Sequence, residues 1–309
     1  MTSISRRGFL GRALGGAAVL SVGAAASPLL AREPAAVIRS EPLGEGLRVI
    51  SGSGCNVVAL NGPDGVLLVD GGLKQHSAAL LKEALKKPGP GRVSVLFNTH
   101  WHPEQTGSNE RVAKGGATLI AHENTRLWLA RPIKATWLDR PFGPLPENAR
   151  PTRTTYTTDQ LTFGSEEIEY GYMRQAHTDG DIYVHFRKAN VLAAGGVVSN
   201  EGWPLLDYET GGWIAGLVAG YDRLLAVAND STRIVPANGA VLTRTDLEAH
   251  RKMYFTIYER LVAGLTKGLG PDEVVASAPA REFAEQWGNP DRFVESGFRS
   301  LWGHFAPDA

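Results

Sequence analysis

Short β-branched runs separated by turn residues open the patterned part of the chain: Ala36 to Ser40, Leu47 to Ser51, Asn56 to Leu60 and Val66 to Asp70. The last two flank Asn61-Gly62-Pro63-Asp64-Gly65, so the four runs predict an antiparallel meander. The period then changes. Leu80, Leu81, Ala84 and Leu85 recur at helical spacing until Pro88-Gly89-Pro90-Gly91, and Val93 to Phe97 reads as a buried strand. Strand, helix, strand predicts a parallel crossover.

The alternation repeats further on. Strands are predicted at Gln160 to Phe163, Glu167 to Tyr172, Ile182 to Phe186 and Val191 to Ala194, a helix from about Trp213 to Ala228, and a strand at Arg233 to Pro236. Thr245-Asp246-Leu247-Glu248 fits a capping box, after which Leu247, Tyr254, Ile257, Leu261 and Leu265 keep helical spacing up to Gly268 and Gly270. Two successive β/α halves predict an α/β fold in which two packed sheets carry helices outside, a four-layer αββα sandwich, with C-terminal helices from about residue 243. Pro141 to Pro151, rich in proline and without periodicity, is the expected long loop and a candidate border for a site.

Composition changes the picture in three ways. A chain of 309 residues, 43% hydrophobic, can bury one substantial core. Thirty-two basic residues balance 32 acidic ones, so no net field steers the protein to nucleic acid or an anionic membrane, and a small molecule is the expected partner. The start of the chain departs from the rest: Ser5-Arg6-Arg7-Gly8-Phe9-Leu10 precedes a stretch uncharged from Ala13 to Ala31. That layout predicts a twin-arginine signal over residues 1–31, with cleavage sites offered at Ala24 to Ala26 or near Ala31 and an uncleaved anchor as the alternative, and residues 32–309 exported as one domain to the periplasm by the twin-arginine machinery. Cys55 is the only cysteine, so a metal would be held mainly by nitrogen and oxygen.

The sharpest chemical signal is Thr99-His100-Trp101-His102-Pro103-Glu104-Gln105-Thr106-Gly107, directly after the strand ending at Phe97. Two imidazoles one residue apart in a loop can converge on one ion. His177, in Ala176-His177-Thr178-Asp179-Gly180-Asp181 between two strands, is the third candidate. Three neutral imidazoles with an open fourth position form a site suited to zinc, where bound water is acidified towards a pKa of about 7.

These segments, in this order, resemble the metallo-β-lactamase superfamily. Val66-Leu67-Leu68-Val69-Asp70-Gly71-Gly72 is similar to its first motif, whose Asp buttresses the site, and Thr99 to Gly107 is similar to its His-x-His-x-Asp-His signature. His177 resembles its third-motif histidine. Val191 to Val197 resembles the strand bearing its bridging Asp or Cys, and Val235-Pro236-Ala237-Asn238-Gly239 the strand end bearing its last histidine. Four positions depart from the pattern. Glu104 and Gln105 stand where the second-motif Asp and His would be, Gly196 replaces the bridging ligand, and Asn238 the final histidine. The resemblance therefore implies one intact metal site, His100, His102 and His177, and loss of the second. Divalent ions about 3.5 to 4 Å apart need anionic ligands between them, which Gly196 does not supply.

On this reading the protein is an exported hydrolase in which one zinc activates water towards an ester, amide, lactone or similar carbonyl. Glu104 serves as base or orienting group, Asn238 and Gln105 offer amide donors at the rim, and Asp70 and Gln105 support the ligands without touching the metal. Asp70 capping its own turn is an equal alternative. Trp101, Trp203, Tyr208 and Trp213 are read equally as pocket wall and as core. Asp181 is read as structural, and His122 and His185 in strand-like patterns, His250 in the expected helix and His304 in the tail are read as ordinary polar or packed residues. Two other functions stay open. One is a mononuclear iron oxygenase, if Glu104 completes a facial triad, and the other is a non-catalytic periplasmic binding protein.

Overall fold

Strands β1 (Arg39–Gly44), β2 (Leu47–Ser51), β3 (Val57–Gly62) and β4 (Gly65–Val69) pair antiparallel in sequence order, in a computed structural model that describes residues 37–305 apart from 45, 87, 88 and 90. The export signal expected over residues 1–31 lies outside the described residues, as do Pro88 and Pro90 of the expected helix stop. The first strand begins at Arg39 and runs through Glu41 and Pro42, later than the β-branched pattern placed it. It is an edge strand, where hydrogen bonding to β2 on one side fixes the element, and proline is tolerated.

Helix α1 (Ser77–Ala84) crosses to β5 (Val93–Phe97), which pairs parallel to β4. The next stretch holds β6 (Thr118–His122), which contains the strand-like pattern at His122, and elements that the hydrophobic pattern did not announce: α2 (Pro103–Thr106), α3 (Asn109–Lys114), α4 (Glu123–Leu129) and β7 (Arg153–Thr155). β6 and β7 extend the sheet in parallel to seven strands. A second sheet has the order β12-β11-β10-β9-β8, from β8 (Thr158–Phe163), β9 (Glu166–Tyr172), β10 (Ile182–Phe186), β11 (Val191–Ser199) and β12 (Arg233–Asn238); β11 and β12 are parallel. α5 (Ile214–Val227) joins them, followed by α6 (Arg244–Thr266), α7 (Pro271–Ala276), α8 (Ala284–Trp287) and α9 (Asp291–Phe305).

Alternation along the strands explains the layering. In β4, Leu67 and Val69 enter the core between the sheets with Phe97, Tyr170, Val184 and Val235. Val66 and Leu68 point the other way, onto Leu80, Ala84 and Val112 of α1 and α3. The far face of the second sheet is covered by α5, α6 and α9 through Leu217, Tyr254, Ile257 and Phe298. The result is the expected αββα sandwich, with a strand buried on both faces wherever the run is continuously apolar.

The cap of α6 differs from the expected one. Thr243, not Thr245, is the N-cap: its hydroxyl accepts from the Asp246 N–H, and the Asp246 carboxylate accepts from the Thr243 N–H at 2.8 Å. Aspartate performs the reciprocal bond as glutamate does, so the box sits two residues earlier, and Glu248 pairs with Arg244 inside the helix.

Candidate metal centre

The ends of β4, β5, β11 and β12 meet at one edge of the sandwich, which is where open α/β sheets place their binding crevices. Beyond β5 the chain turns through residues 98–102. Asn98 anchors the turn by donating to the Gln105 carbonyl at 2.9 Å and the Asn109 side chain at 3.0 Å. Trp101 is fully buried among Leu129 and Ile133, and its indole donates to the Thr210 hydroxyl at 3.0 Å. Sinking Trp101 into that core leaves its neighbours His100 and His102 to the other side. Trp101 is thus core, not pocket wall.

His177 arrives from the loop before β10. That loop is closed by the Thr178 N–H donating to Asp181 at 2.6 Å and tied to the first loop by the Ile182 N–H donating to the Thr99 carbonyl at 2.9 Å. The three imidazoles meet with ring centroids 4.5, 4.6 and 4.8 Å apart, and one nitrogen of each lies within 4.8 Å of the others.

Hydrogen bonds decide which nitrogens are free. His100 Nδ1 lies 3.0 Å from the Thr99 hydroxyl, which contacts both oxygens of the buried Asp70 at 3.1 and 2.9 Å; Asp70 also accepts from the Thr99 N–H at 2.8 Å. With an ionised Asp70 the hydroxyl donates to it and accepts from His100 Nδ1–H, leaving His100 Nε2 as a lone-pair donor. His102 Nε2 bonds Asp207 at 3.0 Å, so Nδ1 is its free nitrogen. Asp207 also receives the Thr210 hydroxyl at 2.6 Å. Burial, then the neighbouring rings, holds His100 well below the ordinary histidine range, and the same two causes act on His102. Neutral imidazole is the ligating form. His177 Nδ1 is buried without a hydrogen-bond partner among the described residues, 3.5 Å from Asp181. An orphaned nitrogen beside the His100 and His102 rings, at a cavity of about 120 Å³, fits an open three-nitrogen metal site.

Glu104, Gln105 and Asn238 all line this cavity. Glu104 Oε1 stands 3.9 Å from His102 Nδ1, and burial raises its carboxyl above the usual range. Gln105 is buried rather than at the rim, and its side-chain oxygen has no partner among the described residues. Asp70 lies beneath, acting through Thr99. Of the aromatic candidates only Trp203 lines the cavity; Trp213 stacks on His304 at 3.8 Å instead. The Pro141 to Pro151 loop packs Phe142 and Leu145 against the Trp101 cluster and borders a different cavity, with Leu73 and Pro103. Cys55 is buried and donates to the Glu104 carbonyl at 3.0 Å, outside the ligand set. Asp207 and Thr99 contact the candidate ligand rings and were not singled out by the sequence.

Gly196 is packed where the missing bridging side chain would begin. A Cβ there would lie 2.6 Å from His177 Nδ1 and 2.8 Å from His100 Cε1. The rings occupy the room that a side chain needs.

The family model described as Metallo-beta-lactamase superfamily matches residues 50–238. Among curated proteins, the metallo-beta-lactamase type 2 of Bacillus sp. (strain 170) is 25% identical over 190 residues, 60% of this chain and 67% of that protein. The Bacillus cereus enzyme of the same name is 24% identical over 186 residues, with the same two coverages. Among solved structures, a metallo-beta-lactamase from Pontibacter korlensis aligns with a TM-score of 0.56 at 19% identity, covering 71% of this chain and 99% of its own. The stereoselective inverting sec-alkylsulfatase Pisa1 from Pseudomonas sp. reaches a TM-score of 0.65 at 14% identity, covering 88% of this chain and 51% of its own. At these identities the structural likeness concerns the fold.

Proposed function

Because the chain belongs to the metallo-beta-lactamase superfamily, as a hydrolase whose His100, His102 and His177 can bind metal, we propose that it is an exported mono-zinc hydrolase of small carbonyl compounds. The observation that carries this reading is the convergence of three buried imidazoles on one cavity that is also lined by Glu104, Gln105, Gly196 and Asn238. A zinc ion held there supplies Lewis acidity, polarising a carbonyl and acidifying water towards a pKa of about 7.

The chain's own residues do the rest. Glu104, with its carboxyl raised by burial, takes the proton of the attacking water and returns it to the leaving oxygen or nitrogen as that bond breaks. Gln105 and Asn238 place carboxamides where N–H groups can donate to the carbonyl oxygen as negative charge grows on it. Asp70 and Asp207 hold the tautomers of His100 and His102.

Elemental analysis of protein recovered from the periplasm tests metal, count and location together. About one zinc per chain is expected. A value near two sinks the single-site reading, iron in place of zinc favours the oxygenase, and no protein in the periplasm ends the export proposal. Gly196→Asp gives a second check. Restoring the family's carboxylate does not create a second site here, because its Cβ displaces His177 and His100; zinc content stays at or below the wild-type value and affinity falls by about tenfold or more. A variant that takes up two zinc ions per chain would overturn this account.

A further inference from the structure

The charges around the histidine cavity point to a class of substrate, an inference that rests on the hydrolase reading above. Glu104 and Glu201 both line the cavity, and among the described residues no lysine or arginine does. Neither carboxylate has an arginine or lysine partner within 4.0 Å among the described residues. Arg292 lines a separate cavity of about 300 Å³ on the other side of Trp203, Pro204 and Leu205. Gln105 also lines the cavity, and its carboxamide carries no charge.

A divalent ion would offset the two carboxylates and no more. A substrate carboxylate, sulfate or phosphate would then bring its charge beside Glu104 and Glu201 with no side-chain cation to receive it, and like charges so placed repel. A substrate cation meets the opposite situation. Trp203 adds a suitable surface: its ring is held by stacking on Phe293 at 5.1 Å and by its indole donating to the Gly288 carbonyl at 2.9 Å, and an indole face attracts quaternary ammonium. Size agrees, since about 120 Å³ admits the reacting end of a small ester and falls below the range of about 300 to 1,000 Å³ typical of drug-sized ligands.

We propose that the substrate is a small acyl compound bearing an ammonium group, which rests against Glu201 and Trp203 while its carbonyl lies at the histidines. Hydrolysis divides it in the ordinary way: water supplies hydroxyl to the acyl carbon and a proton to the leaving oxygen or nitrogen, and no oxidant or second reactant enters.

The test compares three acetyl esters on the zinc-loaded full chain: acetylcholine, its uncharged isostere 3,3-dimethylbutyl acetate, and 3-acetoxypropanoate. Choline binding, followed by calorimetry, gives a readout independent of turnover. Expected is a kcat/KM for acetylcholine about tenfold above the isostere and about a hundredfold above the anion, and choline affinity about fivefold weaker in Glu201→Gln. Turnover without preference, preference for the anion, or a preference that survives Glu201→Gln overturns the proposal and leaves the hydrolase reading standing. If none of the esters is cleaved while choline binds in a Glu201-dependent way, the charge assignment holds and the hydrolase reading fails. No cleavage and no choline binding overturns both.

Discussion

His177→Ala removes zinc binding and hydrolysis and leaves the fold in place. Zinc content falls from about one per chain to under about a tenth, and kcat/KM drops by about a thousandfold or more, because two imidazoles do not complete the three-ligand set that holds the ion. His100→Ala behaves alike. The apoprotein tolerates the change for a physical reason: the His177 ring is buried with Nδ1 unpartnered, a condition that costs about 1–3 kcal/mol for a polar group. Truncation relieves that cost while opening a small void, so the apo melting temperature moves little. Wild-type protein gains about 4 kcal/mol at a zinc concentration a thousandfold above Kd, and the variant gains none. Melting curves with and without zinc, alongside turnover, check both parts. Retained activity in a folded His177→Ala protein contradicts the metal assignment.

What could be read from the sequence followed the strength of each pattern. The apolar run of β4 and the crossover to β5 were legible because both faces of these strands are buried, so Leu67 and Leu68 are equally apolar. Apart from the strand-like pattern at His122, residues 103–155 were not. Their helices have four to seven residues, β7 has three, and stability there comes from contacts such as Asn98 with Asn109 and Trp101 with Thr210, which leave no period in the sequence. His100, His102 and His177 stood out because turn-rich surroundings and motif order marked them. Asp207 did not, since it lies 105 residues from the ring it orients, and nothing local distinguishes it from a loop aspartate. The direction of Gln105 was also hidden, because a side chain at the first turn after the metal loop has the same neighbours in sequence whether it faces rim or interior. Gly196 was legible as a missing ligand, while the filling of its space by two imidazoles is a fact of packing.

Asp70→Asn separates tautomer control from simple support, and the hydrogen bonds around Thr99 fix the expected result. The Thr99 N–H must be accepted, so the asparagine carbonyl oxygen takes the place of Oδ1 and its NH2 group lies against the Thr99 hydroxyl. That group can only donate. The hydroxyl then turns its proton towards His100 Nδ1, 3.0 Å away, and the ring must carry its own proton on Nε2, the nitrogen needed for metal. Zinc affinity falls by about 10- to 100-fold, as for other losses of a group that orients a ligand. Burial pushes the wild-type Asp70 carboxyl up to about 8 against the pull of the Thr99 hydrogen bonds. Its folded pKa is thus above the unfolded one, and the apoprotein loses stability from this group as pH rises from about 4 to about 8. Zinc uptake requires the ionised form and releases that proton, so wild-type affinity climbs with pH up to about 8, whereas the isosteric amide has no such slope and its apo stability equals or exceeds that of the wild type at neutral pH. Zinc titrations from pH 6 to 8 with apo melting curves distinguish the two roles: a purely structural Asp70 lowers the melting temperature and leaves the pH slope intact, and an Asp70→Asn protein that binds zinc within about twofold of wild type refutes tautomer control.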